Sequence, residues 1–232
     1  MELKNKVVLI TGGSTGIGKE ASIALAKAGA NVVIAYHNTK KEGEAVKKEC
    51  DKYGKVLLVH LDVTDTSSIT KVVNGVIKQF GRIDILINNA GCFVYKFLEK
   101  QMKEEIERQL QVNLVGAIMM TQRCLPYLKK QQDAVIINIA SVLGKQVIAQ
   151  GTIYCASKYG LRGFTQALAL ELPTNIRTYC VNPGLTATKM TGFQGISAGQ
   201  VADVIVAAAR EALGKKSGED VDVADFVLKV KR

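Results

Sequence analysis

Two patterns of hydrophobic and polar positions alternate along the chain. Short apolar runs rich in β-branched residues recur at intervals, and they are typical of buried strands. Between them lie longer stretches in which apolar residues repeat with helical spacing. The predicted strands are residues 6–10, 31–35, 55–61, 83–88, 134–140, 176–182 and 219–223. The predicted helices are residues 16–29, 39–53, 66–80, 103–130, 152–172 and 198–213.

The order of these elements predicts the fold class. Strands that alternate with helices, and that read as near-continuous apolar runs such as VVLI at 7–10, indicate a parallel sheet covered on both faces. We therefore expect an α/β fold with a doubly wound, Rossmann-type parallel seven-stranded sheet. No repeat or linker divides the chain, so residues 1–232 are expected to form a single domain.

Three positions interrupt the regular pattern. Pro126 lies inside the predicted helix 103–130 and should kink it or end it early, whereas Pro173 closes the helix before the sixth strand. Residues 186–198, with Gly192 and Gly195, have the least regular pattern. We expect a short, mobile substrate loop there.

Composition narrows the function classes. With 47% hydrophobic and 22% charged residues the chain is an ordinary globular protein, which excludes disordered, collagen-like and coiled-coil classes. The formal net charge is +10, but the basic residues are scattered over the whole chain. This distribution argues against a nucleic-acid partner and is compatible with small anionic ligands.

Segment lengths and cysteine spacing indicate the compartment. No apolar run is long enough to cross a bilayer, and the N-terminal run is too short for a signal peptide. The five cysteines are odd in number, widely spaced and contain no C-x-x-C pair. We therefore expect no membrane association, no disulfide framework and no metal site, and we expect reduced thiols in a cytoplasmic protein.

A glycine-rich turn follows the first predicted strand and opens a helix. Glycines at such a turn let the backbone approach a pyrophosphate, and the helix N-terminus supplies N–H donors. The spacing is G-x-x-x-G-x-G rather than the better-known G-x-G-x-x-G, and the turn could serve only as a tight turn. The candidate cofactor residues in it are Gly12, Ser14, Thr15, Gly16, Ile17 and Gly18.

The end of the second strand favours NADP(H) over NAD(H). An acidic residue there would bind the ribose hydroxyls of NAD and repel the extra phosphate of NADP, but the first acid is Glu42. His37 and Asn38, with Lys40 or Lys41, could receive a 2′-phosphate, and Tyr36 is a further candidate cofactor contact. The alternative is a polar helix start capped by Asn38 or Thr39.

Polar segments follow three later strands, at the sheet edge where open α/β folds bind ligands. They are NNAG at 88–91, NIAS at 138–141 and NPG at 182–184. Tyr154 and Lys158 are four residues apart on a predicted helix, and therefore share one face. A nearby ammonium lowers the pKa of a phenol from about 10, so Tyr154 could exchange a proton with a substrate near neutral pH. Taken alone, the same spacing is common in ordinary surface packing.

Together these motifs resemble the short-chain dehydrogenase/reductase family in its one-domain form. The resemblance runs through nearly the whole chain in order: TGGSTGIG at 11–18, LDV at 61–63, NNAG at 88–91, Asn113, Ser141, Tyr154 with Lys158, and VNPG at 181–184. The spacing between Ser141 and Tyr154 also matches the family pattern. Within the family, the chain resembles 3-oxoacyl-carrier-protein reductases and carbonyl reductases.

The resemblance implies a role for each matching residue. Tyr154 would be the general acid in carbonyl reduction and the base in alcohol oxidation, and Ser141 would bind the substrate oxygen. Lys158 would hold the nicotinamide ribose and lower the tyrosine pKa, and Asn113 would support a proton-relay water. The implied cofactor contacts are Asp62 and Val63 at the adenine, Asn89, Ala90 and Gly91 at the riboses, and Pro183, Gly184, Thr186 and Thr188 at the nicotinamide. Alternatively, Asn113 satisfies backbone groups in a kinked helix and Asp62 caps the next turn.

Two departures from the family pattern limit these implications. Thr15 stands where many NADP-preferring members have a basic residue, which makes the cofactor choice less secure. The stretch between Thr188 and the last strand is short, and residues 224–228 replace the glycine-rich ending of many relatives.

The expected activity is hydride transfer between NADP(H) and a small carbonyl or alcohol substrate of the ketone, aldehyde or 3-oxoacyl type. The alternatives are an NAD-dependent alcohol or sugar dehydrogenase and a catalytically silent nucleotide-binding regulator. We also predict a homodimer or homotetramer. Three features indicate it: apolar residues along 103–130, small residues along 152–172 and the apolar tail at 226–228.

Overall fold

The computed structural model describes residues 1–227 of the chain. The strands in this range are β1 (Val7–Thr11), β2 (Asn31–Tyr36), β3 (Val56–His60), β4 (Ile85–Asn88), β5 (Ala134–Ile139), β6 (Ile176–Asn182), β7 (Thr186–Ala187), β8 (Ile196–Ser197) and β9 (Asp220–Asp222). The helices are α1 (Gly16–Lys27), α2 (Lys40–Cys50), α3 (Thr66–Phe80), α4 (Lys103–Leu110), α5 (Gly116–Leu128), α6 (Thr152–Glu171), α7 (Ala198–Ala209) and α8 (Val223–Val227).

The main sheet confirms the predicted fold class. Across the described residues it has seven strands in the order β3-β2-β1-β4-β5-β6-β9, and every pairing is parallel. The chain first builds outward from β1 to β3 and then returns to the other side of β1 with β4. A reversal of this kind separates the loops after β1 and β4 and leaves a crevice at the carboxyl ends of the strands.

Alternating side chains of each strand feed two separate cores. Val8 and Ile10 pack on one face of the sheet with apolar residues of α1, α2 and α7. Val7 and Leu9 pack on the other face with residues of α3 and α5. Both faces are covered, which explains why these strands read as continuous apolar runs rather than alternating ones.

The single helix predicted at 103–130 is wrong in one respect. α4 and α5 are separated by a π-helical turn at Gln111–Val115, and Pro126 lies inside α5 without ending it. The disturbance is therefore located at Asn113 and not at the proline. Pro126 removes one backbone donor close to the end of a helix that stops at Leu128.

Residues 186–198 are more regular than expected. β7 and β8 pair in parallel, Thr186 with Ile196 and Ala187 with Ser197. A Cβ on Gly195 would lie 2.0 Å from the carbonyl oxygen of Leu185, so this close approach requires glycine. The segment thus contains a small two-stranded parallel sheet.

The apolar tail predicted at 226–228 is only partly described. Phe226 and Val227 are partly buried and pack against the core on the α7 face, so this part of the tail covers the chain's own core. Leu228 lies outside the described residues.

Candidate active site

A cleft opens where the ends of β1, β4, β5 and β6 meet. The predicted site residues that line it are Gly12, Thr15, Gly16, Ile17, Asn89, Ala90, Gly91, Ser141, Tyr154, Lys158, Pro183, Gly184, Thr186 and Thr188. It is also lined by residues that the sequence motifs did not indicate, namely Ile139, Ala140, Lys189, Met190 and Thr191. The other predicted residues lie beside or behind this lining: Ser14, Gly18, Tyr36, His37, Asn38, Asp62, Val63 and Asn113.

The glycine loop is shaped by close backbone approach. Gly12 and Gly16 have φ angles of +64° and +52°, in the region that favours glycine. A Cβ on Gly18 would lie 2.2 Å from the carbonyl oxygen of Gly12 and 2.5 Å from Nδ2 of Asn89. A side chain at this position would therefore push the loop away from the neighbouring strand end.

Hydrogen bonds join this loop to the segment after β4. The Thr11 hydroxyl accepts from the backbone N–H groups of Asn89 and Ala90, each at 3.0 Å. In return, Nδ2 of Asn89 donates to the carbonyl oxygens of Thr11 and Gly12, at 2.9 and 3.0 Å. The predicted NNAG motif thus holds the glycine loop in place from its neighbour strand.

The donor groups of the loop fit a dinucleotide pyrophosphate. α1 begins directly after the loop, and within the described residues the side chain of its N-cap Thr15 makes no capping hydrogen bond. Its first turn contains no acidic residue. The N–H groups of that turn can therefore bind an anion, with help from the helix dipole.

The end of β2 combines polar groups with one neighbouring carboxylate. The hydroxyls of Ser14 and Thr39 are 2.6 Å apart, which links the glycine loop to the start of α2. Nε2 of His37 lies 3.6 Å from a carboxylate oxygen of Asp62. His37 is half exposed, and it therefore remains accessible to a ligand at this edge.

Asp62 and Val63 have clear structural contacts of their own. Asp62 accepts hydrogen bonds from the side chain and backbone N–H of Thr64, and these bonds lower the pKa of the Asp62 carboxyl. Asp62 therefore caps the turn after β3, which is the alternative role considered for it. Val63 packs against Gly116, where a Cβ would lie 2.9 Å from the Cβ of Val63.

Ser141, Tyr154 and Lys158 meet in the cleft. Burial raises the pKa of the Tyr154 phenol to about 12, and this effect is larger than the lowering by the neighbouring Ser141 side chain. Lys158 is buried, its Nζ donates to the carbonyl oxygen of Ile139 at 2.8 Å, and desolvation lowers its pKa to about 8. The lowered tyrosine pKa expected from the spacing is not found, because burial of the phenol is the largest effect on it and raises its pKa.

Asn113 occupies the π-helical turn and is buried. Its Oδ1 accepts from the backbone N–H of Cys92 at 2.8 Å, and its Nδ2 donates to the Cys92 carbonyl oxygen at 2.9 Å and to Ser157 Oγ at 3.1 Å. Ser157 in turn donates to the Tyr154 carbonyl oxygen at 2.7 Å. Asn113 therefore satisfies backbone groups, which is the alternative role considered for it. These bonds also link the NNAG segment to the helix that carries Tyr154.

A polar network behind Ser141 was not found from the sequence. Arg162 donates to both carboxylate oxygens of Asp220 in β9 and, through Nη1, to the Gly144 carbonyl oxygen at 2.9 Å. Asn182 donates to Asp220 and Asp222 at 3.0 Å each. Because Gly144 ends the short turn after Ser141, this network supports that turn from β9.

Three features bear on other function classes. Each of the helices in residues 1–227 is too short or too polar to cross a membrane. Over the same range there is no group of three or more side chains arranged to hold a metal ion. All five cysteines are free thiols.

Comparison with known proteins identifies the family. A model of the short chain dehydrogenase family matches residues 6–196. The chain is 40% identical over 193 residues to the 3-oxoacyl-[acyl-carrier-protein] reductase of Thermotoga maritima, covering 82% of this chain and 78% of that protein. It is 36% identical over 196 residues to the 3-ketodihydrosphingosine reductase of Bacteroides thetaiotaomicron, covering 84% of this chain and 69% of that protein. A solved structure of a short-chain dehydrogenase/reductase double mutant from Serratia marcescens matches with a TM-score of 0.90 at 27% identity, covering 96% of this chain and 97% of that one.

The cleft and fold are those of a nucleotide-dependent oxidoreductase, and this chain belongs to the short-chain dehydrogenase family. Members of this family act on carbonyl or alcohol groups with a nicotinamide cofactor, and the same class of activity holds for this protein.

Proposed function

We propose that this protein is an NADP(H)-dependent carbonyl reductase that also oxidises the corresponding alcohol. The observation that carries the proposal is that Ser141 and Tyr154 line the same cleft, with Tyr154 one helical turn from the buried Lys158. A nucleotide-binding regulator has no need for such a pair of hydroxyls at the cleft floor. The names of the two curated relatives, a 3-oxoacyl reductase and a 3-keto reductase, support the direction of carbonyl reduction.

Each residue of this group has a proposed part in the reaction. Tyr154 donates its phenolic proton to the substrate oxygen, and a pKa of about 12 keeps the donor protonated at neutral pH. Ser141 orients that oxygen through its own hydroxyl. When bound, the nicotinamide cofactor supplies the hydride. Lys158, with its ammonium next to the end of β5, holds the ribose, and Asn113 positions the helix of Tyr154 and a water beside Lys158.

The preference for NADP(H) is supported by the charges at the end of β2. No acidic residue lies between Asn31 and Lys41, so no side chain of this segment repels a 2′-phosphate. His37, Asn38 and the hydroxyls of Ser14 and Thr39 offer donors at this edge. Since these contacts are partly exposed and Asp62 lies near His37, the preference should be moderate, about tenfold to a hundredfold in kcat/KM.

We also propose a cytoplasmic homodimer or homotetramer. Ile106, Leu114 and Ile118 are only partly buried in the single chain, and Leu170 on α6 is 89% exposed. A two-fold axis that pairs α5 and α6 with the same helices of a second copy would cover this surface. Light scattering at micromolar concentration tests the proposal, and a 25.1 kDa particle would contradict it.

Steady-state kinetics test the activity and the cofactor together. We expect NADPH oxidation with ketones, aldehydes or 3-oxoacyl esters, and at least about tenfold lower kcat/KM with NADH. Better turnover with NADH would favour the NAD-dependent alcohol or sugar dehydrogenase. Binding of either cofactor without turnover of any carbonyl or alcohol would favour the regulator.

A further inference from the structure

An aromatic side chain lies directly on the proposed proton donor. The rings of Phe93 and Tyr154 are packed with their centroids 4.6 Å apart. Tyr95 contacts Phe93 edge-on at 5.9 Å. Both residues belong to the loop after β4, so this loop places an apolar wall beside the tyrosine that would face the substrate.

Further apolar side chains are exposed on three segments: the loop after β4, the loop before α6, and the segment between β7 and β8. Large apolar side chains that remain exposed as a group often mark a ligand-binding surface. We call the following residues the apolar rim: Tyr95 at 59% exposure, Val147 at 73%, Ile148 at 41%, Met190 at 48% and Phe193 at 73%. Met190 also lines the cleft together with Tyr154.

Hydrogen bonds hold these segments in place. The backbone N–H of Lys96 donates to the Gln150 carbonyl oxygen at 3.1 Å, which joins the loop after β4 to the loop before α6. The buried Gln109 accepts from the N–H of Val94 at 3.1 Å, close to Phe93. The N–H of Phe193 donates to the Thr188 carbonyl oxygen at 2.8 Å. The wall and rim are therefore preformed.

Two lysines near the rim are paired with carboxylates. Lys96 is 2.6 Å from Glu105, and Lys145 is 2.6 Å from Asp222. Lys189 lines the cleft next to Met190, on the segment where Thr188 Cγ2 lies 3.2 Å from a Cβ built on Gly16 of the glycine loop. The residues that adjoin the Tyr154 ring through Phe93 are aromatic rings.

We infer that the substrate is an apolar ketone or secondary alcohol, with a hydrocarbon chain or ring on the side of the reacting carbon that faces Phe93. Burying such a chain against the wall and rim is favourable, whereas the hydroxyls of a sugar or polyol would lose water there for apolar contacts. The inference rests on the proposed function, because it takes Tyr154 as the group that meets the substrate oxygen.

A homologous series of substrates tests the inference. With NADPH, kcat/KM should rise about two- to fourfold for each methylene added from butanone to octanone, the gain expected when a CH₂ group is buried. Dihydroxyacetone and other sugar ketones should be worse than butanone. A flat or falling series, or better turnover of sugar ketones, would overturn the inference while the proposed carbonyl reduction would stand.

Variants locate the effect. Phe93→Ala should lower the ratio of octanone to butanone efficiency about tenfold, and Phe93→Leu should restore most of it because hydrocarbon is retained. Tyr53→Ala removes an exposed ring that packs near Lys27, away from the cleft, and should leave the ratio unchanged. An unchanged ratio in Phe93→Ala would count against the wall.

Binding and particle mass test the wall and the rim without relying on turnover. Calorimetry with NADPH present should show octanol binding more tightly than butanol, even if no substrate is turned over. Equal affinities for the two alcohols would overturn the inference, whatever the outcome for the proposed function. Val147→Ser with Phe193→Ser should lower the octanone ratio without changing the particle mass. A smaller particle with an unchanged ratio would show that the rim is an interface between copies and not a substrate wall.

Discussion

Lys158 donates its 2.8 Å hydrogen bond to the carbonyl oxygen of Ile139, at the end of the strand that leads to Ser141. The Lys158 Nζ lies 5.6 Å from the centre of the Tyr154 ring. Burial lowers the pKa of the ammonium to about 8 and raises the pKa of the phenol to about 12. Burying the Lys158 ammonium therefore costs folding free energy, and the neighbouring Tyr154 phenol keeps its proton at neutral pH.

Replacing the buried ammonium should stabilise the protein. The folded pKa of Lys158 is about 8, below the value of about 10.4 for an unfolded chain. Between these pH values the unfolded chain binds more protons, so the free energy of unfolding of the wild type should rise with pH. Lys158→Met should lack this rise and should gain about 1 to 2 kcal/mol at pH 7, after the loss of the Ile139 hydrogen bond. Turnover and cofactor affinity should fall.

Urea unfolding at pH 7 and at a pH between the two pKa values of Lys158, about 8 and about 10.4, measures the free energy of unfolding. Lys189→Met, at an exposed position in the same cleft, is the control and should not change the free energy of unfolding appreciably at either pH. A Lys158→Met protein that is less stable than the wild type at pH 7 would contradict the cost of burial. Unchanged cofactor affinity would contradict the ribose role.

Removing the phenolic hydroxyl should remove turnover alone. Tyr154→Phe keeps the ring packed on Phe93 but loses the proton donor, so kcat should fall by about 10² to 10⁴ while NADPH still binds. Tyr159→Phe, on the exposed surface of the same helix, should behave as wild type. Steady-state kinetics and NADPH fluorescence titration measure the two effects. Activity of Tyr154→Phe within about threefold of wild type would reject the assignment.

The network behind Ser141 should affect both stability and rate. Arg162→Met leaves Asp220 and the Gly144 carbonyl without the guanidinium, and should cost about 2 to 4 kcal/mol of unfolding free energy. Arg162→Lys should not restore it, because one ammonium cannot reproduce the forked contacts. Lys47→Met, which breaks the surface pair with Asp51, should cost under about 1 kcal/mol.

Kinetics distinguish positioning from stability alone in this case. Below the unfolding transition, Arg162→Met should lower kcat more than it raises KM for NADPH, since the turn after Ser141 loses its anchor. An unchanged kcat at a temperature where the variant is fully folded would show that the network serves only the fold.

Two glycine substitutions should have opposite effects. Gly18→Ala forces a Cβ to within 2.2 Å of the Gly12 carbonyl oxygen, so we expect destabilisation of about 2 kcal/mol or more and loss of cofactor binding. At Gly75, inside α3, no neighbour lies within 4 Å of the added Cβ among the described residues. Gly75→Ala should therefore stabilise the protein by about 0.5 to 1 kcal/mol. Thermal unfolding of both variants measures this contrast, and a neutral Gly18→Ala would contradict the close approach.

A new carboxylate at the end of β2 should shift the cofactor preference toward NADH. His37→Asp places a negative charge beside the proposed phosphate position, next to the existing charge of Asp62. The ratio of kcat/KM for NADPH to that for NADH should fall about tenfold or more. His37→Asn is the matched neutral control and should keep most of the preference. If both variants retain the wild-type ratio, the 2′-phosphate is bound elsewhere.

The strands, most helices and the cleft could be predicted because they depend on short-range patterns. Apolar runs such as residues 7–10, the glycines at 12, 16 and 18, and the four-residue step from Tyr154 to Lys158 are all visible in the sequence. Parallel topology then brings the strand ends to one edge. These features need no knowledge of distant contacts.

The features that could not be predicted depend on partners far apart in the chain. The π turn at Asn113 is stabilised by Cys92 and Ser157, and Arg162 finds Asp220 in the last strand. The direction of the Tyr154 pKa shift depends on how deeply the phenol is buried, which spacing along a helix does not reveal. The preference for NADP(H) and the oligomeric state stay predictions.

The position of β9 also sets the order in which the site can be completed during synthesis. Asp220 and Asp222 bind Arg162, Lys145 and Asn182, and both carboxylates are synthesised after these partners. A nascent chain can form the strands from β1 to β6 before these carboxylates emerge, but the turn after Ser141 is not yet anchored. Nascent chains stalled on the ribosome at residue 218 lack β9. Limited proteolysis should therefore cut them at the turn after Ser141 while the core resists. Equal protection of the core and the turn would show that the anchor is dispensable. The turn after Ser141 therefore stays unanchored until β9 has been synthesised.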